Sequence, residues 1–70
     1  AVEDGSLTTK IKAKMALDDT VKALDLDVDT RNGVVTVSGT VRSEAERQRA
    51  LALARETEGV TQVVDRLLVR

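Results

Sequence analysis

The sequence predicts an α/β fold of the α+β type, with two helices on one face of a small three-stranded sheet in the order α-β-β-α-β. Three observations support this prediction. Apolar and polar residues alternate strictly from Leu24 to Thr30, Asn32-Gly33 follows almost at once, and Ser-Glu-Ala-Glu at 43–46 precedes an apolar stripe with helical spacing. These features are typical of a half-buried strand, a tight hairpin turn and a helix start, respectively. Seventy residues are enough for one small domain.

The first helix is predicted from Ser6 to about Leu17, with Ser6 or Asp4 as its cap. Residues 1–5 are then expected to form a flexible lead-in, and residues 6–70 a single domain. Residues four apart lie on the same side of a helix, so the helix has one apolar stripe. That stripe consists of Leu7, Ile11 and Met15, whereas Ala13, Ala16 and Leu17 lie off it.

The next two strands form a hairpin whose register can be predicted. Alternation places Leu24, Leu26, Val28 and Thr30 inward and Asp25, Asp27 and Asp29 outward. Asn32-Gly33 favours a type I′ turn, because both central residues of that turn have positive φ. A two-residue loop fixes the register of the strands. The expected inward pairs are Thr30 with Val35, Val28 with Val37, Leu26 with Gly39 and Leu24 with Val41.

Gly39 is predicted to be a packing glycine on the inward side of the second strand. The helix that follows has Ser43 as N-cap and Glu46 three residues later, which is the capping-box pattern. We expect this helix from Glu44 to about Glu58, with an inward stripe of Ala50, Leu53, Ala54 and Thr57. Its two alanines would bring the helix axis close to the sheet, and a glycine beneath would permit that approach. A β-bulge at Gly39 is the alternative.

The third strand is predicted after Gly59, which stands at the C′ position where glycine commonly ends a helix. Within this strand, alternation places Val63, Leu67 and Val69 inward and Val64, Arg66 and Leu68 outward. The connection through the second helix is expected to be right-handed. The pattern leaves open whether the third strand lies beside the first strand or beside the second.

Composition argues against several classes of function. The chain has no Cys, His, Phe, Trp or Tyr, and its net charge is −1. It therefore lacks the commonest general base and zinc ligand, and it lacks the aromatic platforms on which nucleic-acid bases stack. A charge near zero gives no general attraction to phosphate, and no apolar run is long enough to span a bilayer. We expect a non-enzymatic module without a cofactor, a nucleic-acid partner or a transmembrane segment.

The outward aspartates, Asp25, Asp27 and Asp29, are the first candidate site, because a row of carboxylates could attract Ca²⁺. Residues two apart in a strand are separated by ~6.5–7 Å, and a strand does not wrap an ion as a calcium loop does. An exposed row also offers no pocket that would split two carboxyl pKa values for acid–base catalysis. We expect a polar sheet face, paired across strands with Arg66 or Arg70, and no metal site.

Four lysines, Lys10, Lys12, Lys14 and Lys22, form a local concentration of positive charge on and after the first helix. Near an anionic membrane each lysine can contribute about 1 kcal/mol. The alternatives are a lipid-binding patch and an ordinary solvated helix face. Two aspartates follow the helix and no Trp or Phe is present to insert into a bilayer. Lipid binding is therefore expected to be weak, to act through headgroup charge and to be sensitive to salt.

Val34, Val64 and Leu68 are predicted to point away from the helices, on a sheet with two free edges. Isolated valines on a protein surface are ordinary. The alternative is a partner surface that docks a tandem domain or another protein through the open sheet and its edges. This surface supports a second functional hypothesis, a protein-interaction and assembly module.

The segment 32–69, NGVVTVSGTVRSEAERQRALALARETEGVTQVVDRLLV, closely resembles the BON domain, a bacterial module named for an osmotically inducible periplasmic protein and for nodulation. The resemblance rests on Gly-Val-Val-Thr-Val-Ser-Gly at 33–39, Glu-Ala-Glu-Arg at 44–47 and Gly-Val-x-x-Val-Val-Asp at 59–65. The first helix fits the family as well. The chain departs from the family at Asp65, where BON domains commonly have Asn.

The resemblance implies two helices on a small sheet and a periplasmic or envelope-associated location in a bacterium, with phospholipid binding as the usual proposed activity. It also implies partners, because BON domains often occur in tandem or attached to other envelope proteins. The family supplies no catalytic residues to carry over to this chain.

Overall fold

The computed structural model describes residues 3–70 and confirms the predicted α+β fold. The elements are α1 (Asp4–Leu17), β1 (Leu26–Arg31), β2 (Val34–Val41), α2 (Glu44–Arg55) and β3 (Gln62–Val69). Both helices contribute to a single apolar core with the sheet. The fully buried side chains at its centre are Ile11, Val21, Val35, Val37, Val41, Ala50 and Ala54.

The sheet has the order β1-β2-β3, so β2 is the central strand. The third strand therefore lies beside the second strand, a point that the sequence pattern leaves open. β1 and β2 are antiparallel, and the predicted register is confirmed from Arg31 opposite Val34 to Leu26 opposite Gly39. Asn32 has φ +52° and Gly33 has φ +80°, as a type I′ turn requires. β2 and β3 are parallel, with α2 as the crossover between them.

β1 is shorter at its start than predicted. It begins at Leu26 rather than Leu24, and the expected pair of Leu24 with Val41 is not formed. Leu24 instead packs against the core from the loop before the strand. Val41 is still fully buried, because the part of β2 that extends beyond β1 pairs with β3.

Gly39 has a different role from the predicted one. Its φ of +132° lies in a region that L side chains rarely adopt. A Cβ atom here would lie 2.8 Å from the carbonyl oxygen of Asp25 and 3.0 Å from Leu26 Cδ2. The close approach therefore comes from the chain leading into β1 and not from α2. The glycine lies at the last pair of the β1–β2 ladder, opposite Leu26.

The start of α1 also differs from the prediction. The helix begins at Asp4, its N-cap is Glu3, and no side chain makes a capping hydrogen bond there. The predicted caps at Ser6 and Asp4 are therefore wrong, since both residues lie inside the helix. Of the predicted lead-in, residues 1 and 2 lie outside the described residues. The Asp4 carboxylate instead accepts hydrogen bonds from the hairpin turn, from the amides of Asn32 at 2.9 Å and Gly33 at 3.4 Å.

α2 begins as predicted but ends early. The Ser43 hydroxyl accepts from the amide of Glu46 at 3.2 Å, and the Glu46 carboxylate accepts from the amide of Arg42 at 2.6 Å. The helix ends at Arg55 and not at Glu58, so Gly59 is not its C′ residue. Gly59, with φ +99°, belongs to a separate turn closed by the hydrogen bond from Val60 N to Thr57 O.

β3 is an edge strand, and this explains its uneven burial. Leu67 is buried and Val63 is half-buried, as predicted. Val69 lies opposite the buried Val41 on the inward side, as predicted, but it is 48% exposed. Val69 has a neighbouring strand on one side only, and it stands at the end of the element. Asp65, the departure from the BON pattern, pairs with Arg47 of α2 and accepts from the amide of Leu67 at 2.9 Å.

Candidate functional site

The predicted lysine cluster on α1 divides between two flanks of the helix. Lys10 and Lys14 are four residues apart, so they share one flank of the buried stripe. Lys12 is two residues from each of them and projects from the other flank. Lys22 lies beyond the end of α1, where its ammonium pairs with Asp19 at 3.1 Å. The structure therefore brings together Lys10 and Lys14, and separately Lys12 and Lys22.

The flank with Lys10 and Lys14 also carries Leu17, the most exposed large apolar side chain in the described residues, with 85% of its surface accessible. Lys10, Ala13, Lys14 and Leu17 follow the spacing of one helical strip, and we call these four residues the outer strip. No role for Leu17 is predicted from the sequence. The available signal was that Leu17 lies off the buried stripe, which leaves a leucine on the solvent side of an otherwise polar flank.

The flank with Lys12 faces a shallow groove of about 220 Å³ between α1 and the chain leading into β1. Lys12 and Lys22 line this groove together with the apolar side chains of Met15, Val21, Leu24 and Leu26. Its volume is below the range of about 300–1,000 Å³ that is usual for a small-molecule pocket. The groove places two ammonium groups beside apolar surface, but it does not enclose a ligand.

Of the two aspartates that follow α1, Asp19 pairs with a lysine but Asp18 pairs with an arginine. The Asp18 carboxylate, whose side chain is only 10% exposed, pairs with the guanidinium of Arg49 on α2 at 2.6 Å. The hydrogen bond from Arg49 lowers the pKa of Asp18 below its ordinary value of 3.8, and the hydrogen bond from the Thr20 amide adds to this effect. The charge of Asp18 is therefore compensated within the protein. This contact also ties the end of α1 to α2.

The aspartate row lies on the exposed side of the sheet. Asp25, Asp27 and Asp29 are exposed, and no group of acidic residues in the described part of the chain has the arrangement of a metal site. Asp29 lies 3.6 Å from Arg31 of the same strand. The expected pairing with Arg66 or Arg70 is not formed among residues 3–70. The reason is the strand order, which places β2 between β1 and β3.

The sheet surface opposite the helices, which we call the open face, carries the predicted partner residues. Val34 and Val64 are half-buried and Leu68 is 56% exposed. The register aligns this surface in rows that run across the strands. The rows are Arg31–Val34–Gln62, Asp29–Thr36–Val64, Asp27–Ser38–Arg66 and, on two strands, Thr40–Leu68. Neither helix covers this side, since both pack into the one core on the other side of the sheet.

Residues 3–70 match the family model of the BON domain. The chain is similar to osmotically-inducible protein Y of Escherichia coli K12, with 42% identity over 69 residues, which cover 99% of this chain and 34% of that protein. It is also similar to outer membrane lipoprotein DolP of Haemophilus influenzae, with 37% identity over 62 residues, 89% of this chain and 32% of that protein. The chain thus spans about a third of the length of these relatives.

Within the described residues, neither helix combines the length and the apolar character that crossing a membrane requires.

Proposed function

Because the chain belongs to the BON domain family, we propose that it is a non-enzymatic module of the bacterial envelope that associates weakly with anionic phospholipid through the outer strip. The observation that carries the proposal is Leu17, which is 85% exposed on the same strip as two lysines. An exposed leucine beside ammonium groups fits the boundary between acyl chains and headgroups. Lys10 and Lys14 would contact headgroup phosphate, and Leu17 would enter the apolar layer.

The expected affinity is low. Full burial of a leucine side chain contributes about 1.5–3 kcal/mol, and each lysine near an anionic surface about 1 kcal/mol. The outer strip therefore offers about 4 kcal/mol, which corresponds to a dissociation constant near 1 mM. Lys12 and Lys22 lie on the other flank and would add less, as they do not face the same plane. Weak binding by one domain becomes useful when a longer protein carries several such contacts.

The family relatives support an envelope location. One of them is by name an outer membrane lipoprotein, and another is by name osmotically inducible. A domain held close to a membrane by another part of its protein would need only a weak surface contact of its own. We propose the periplasm or the envelope of a bacterium as the location of this chain on this basis.

Amide NMR with lipid vesicles tests the proposal. We expect shifts or broadening around Lys10, Lys14 and Leu17 with anionic vesicles, and none with zwitterionic vesicles. The double variant Lys10→Gln, Lys14→Gln should bind roughly thirtyfold more weakly at low salt, since two lysines contribute about 2 kcal/mol. Leu17→Gln should also weaken binding. The ratio of its dissociation constant to that of the wild type should persist at higher salt, because the variant loses an apolar contact, which salt does not screen.

The double variant Lys12→Gln, Lys22→Gln is the matched comparison, because it removes the same charge from the other flank. It should weaken binding less than the Lys10, Lys14 pair. A larger effect from Lys12 and Lys22 would mean that the groove flank contacts the membrane, and the outer strip would be the wrong surface. An unchanged spectrum with anionic vesicles would refute lipid binding by this domain.

A further inference from the structure

We infer that the open face is a self-association surface on which a second copy of this chain stacks sheet to sheet, with two reciprocal ion pairs between Asp27 of one copy and Arg66 of the other. This inference does not depend on lipid binding, because the outer strip lies on α1 and the open face is on the other side of the sheet. It rests on the rows described above and on the distribution of charge along them.

The charges on the open face are divided between its two outer strands. β1 contributes Asp27, Asp29 and Arg31, of which Asp29 and Arg31 lie 3.6 Å apart and compensate each other. β2 contributes no charged residue to this face, and β3 contributes Arg66. Asp27, Ser38 and Arg66 stand in one row, with the serine in the middle. Neither Asp27 nor Arg66 forms an ion pair with another residue in 3–70. Each is thus available to an opposite charge from outside the chain.

Two sheets can be stacked face to face about a two-fold axis in two simple ways. If the axis runs across the strands, β1 lies over β1 and β3 over β3 of the partner copy, so Asp27 of one copy is out of reach of Arg66 of the other. If the axis runs along β2, β1 of one copy lies over β3 of the other. Each residue then faces a residue from the same cross-strand row of the second copy. Asp27 then faces Arg66 of the second copy, and the same contact recurs on the other side of the axis. The second arrangement is closed and isologous, as dimer interfaces usually are.

The remainder of the face is compatible with this stacking. The middle strand presents Val34, Thr36 and Ser38 near the axis, where each side chain meets its own equivalent. These are small or β-branched residues, and stacked sheets pack at about 10 Å. An arginine and an aspartate can together span that gap. Leu68, 56% exposed on β3, stands in the row that β1 does not reach, so it lies at the margin of the stack.

The size of the face sets the expected strength. Three strands about 4.8 Å apart and about eight residues long present roughly 350 Å² per copy, or about 700 Å² for a pair. Stable complexes usually bury about 1,200–2,000 Å². We therefore expect self-association in the millimolar to high micromolar range, which is relevant when two copies are held close together by a shared membrane or a linker.

A charge-swap experiment tests the inference. Amide spectra of the wild type are recorded from micromolar to millimolar concentrations, and we expect concentration-dependent shifts on the open face, including Ser38, Val64 and Leu68. Asp27→Arg and Arg66→Asp should each weaken self-association roughly fivefold or more, because like charges then face each other twice. A mixture of the two single variants should regain association, since both facing pairs become attractive.

Glu58→Arg is the control, because it changes the net charge as Asp27→Arg does but lies in the turn before β3, at an exposed position. Mixed with isotope-labelled Arg66→Asp, it should not restore the concentration-dependent shifts of the labelled chain, because the control keeps Asp27, which repels the aspartate introduced at position 66. Equal recovery in this control mixture would show unspecific attraction and overturn the inference. Concentration-independent spectra of the wild type, or shifts confined to the helices, would overturn it as well.

Discussion

Replacing Gly39 by alanine tests whether the backbone at this position is set by the approach of the chain before β1. The φ of +132° is unfavourable for any L residue, and such strain costs about 1–3 kcal/mol. The new Cβ would also lie 2.8 Å from the carbonyl oxygen of Asp25. Either β2 or the chain before β1 must therefore shift, which adds about 1 kcal/mol or more to the loss of stability. We expect a total loss of about 2–4 kcal/mol, against a stability of about 3–5 kcal/mol for a domain of this size.

Urea denaturation followed by far-UV circular dichroism measures this loss, since the chain has no Trp or Tyr for fluorescence. In thermal denaturation followed by the same signal, the melting temperature of Gly39→Ala should be roughly 10–25 °C below that of the wild type. Gly5→Ala is the matched substitution, because Gly5 lies inside α1 and an added Cβ would meet no atom within 4 Å. It should stabilise the domain by up to about 1 kcal/mol. A loss below about 1 kcal/mol for Gly39→Ala would refute the reasoning, since β2 could then relax freely.

Two further substitutions test contacts that tie the elements together. Asp18→Asn should reduce the stability by about 1 kcal/mol at neutral pH, because it removes the charge that pairs with Arg49, which is itself partly exposed. The lowered pKa of Asp18 means that this stability is present above pH 3.8 and is lost as the pH falls through the folded-state value. Urea titrations should therefore show the two proteins converging as the pH falls well below 3.8, and a gap of unchanged size at the acid end of the titration would contradict the ion pair. Asp4→Ala should cost about 1–2 kcal/mol and accelerate amide hydrogen exchange at Asn32 and Gly33; unchanged exchange at both amides would contradict the contact.

The parts of the fold that were predicted correctly depend on local interactions. The register of β1 and β2 follows from a two-residue turn, and the start of α2 follows from Ser43 and Glu46, three residues apart. The start of α1 was not predicted, because Asp4 acts on a turn that is distant in sequence. Gly39 illustrates the same limit, since an alternating pattern shows neither φ nor which chain approaches a glycine.

The candidate site was predictable in composition but not in arrangement. The four lysines are evident in the sequence, yet the spacing of Lys10, Lys12 and Lys14 by two residues divides these three between two flanks of α1, and Lys22 lies beyond the helix. Leu17 had no assigned role because a leucine off the buried stripe is a common feature of a short helix. The separation of the aspartate row from Arg66 depends on strand order, which only the parallel pairing of β2 with β3 determines.

The central position of β2 bears on the order in which the chain folds. Its pairing with β1 closes a two-residue loop, whereas its pairing with β3 must close a loop that contains all of α2. Loop-closure entropy favours the hairpin as the earlier structure, so substitutions in it should slow refolding, while those in β3 should mainly accelerate unfolding. The open face is complete only after β3 has joined. A newly made chain therefore has no surface for a second copy until its own last strand is in place.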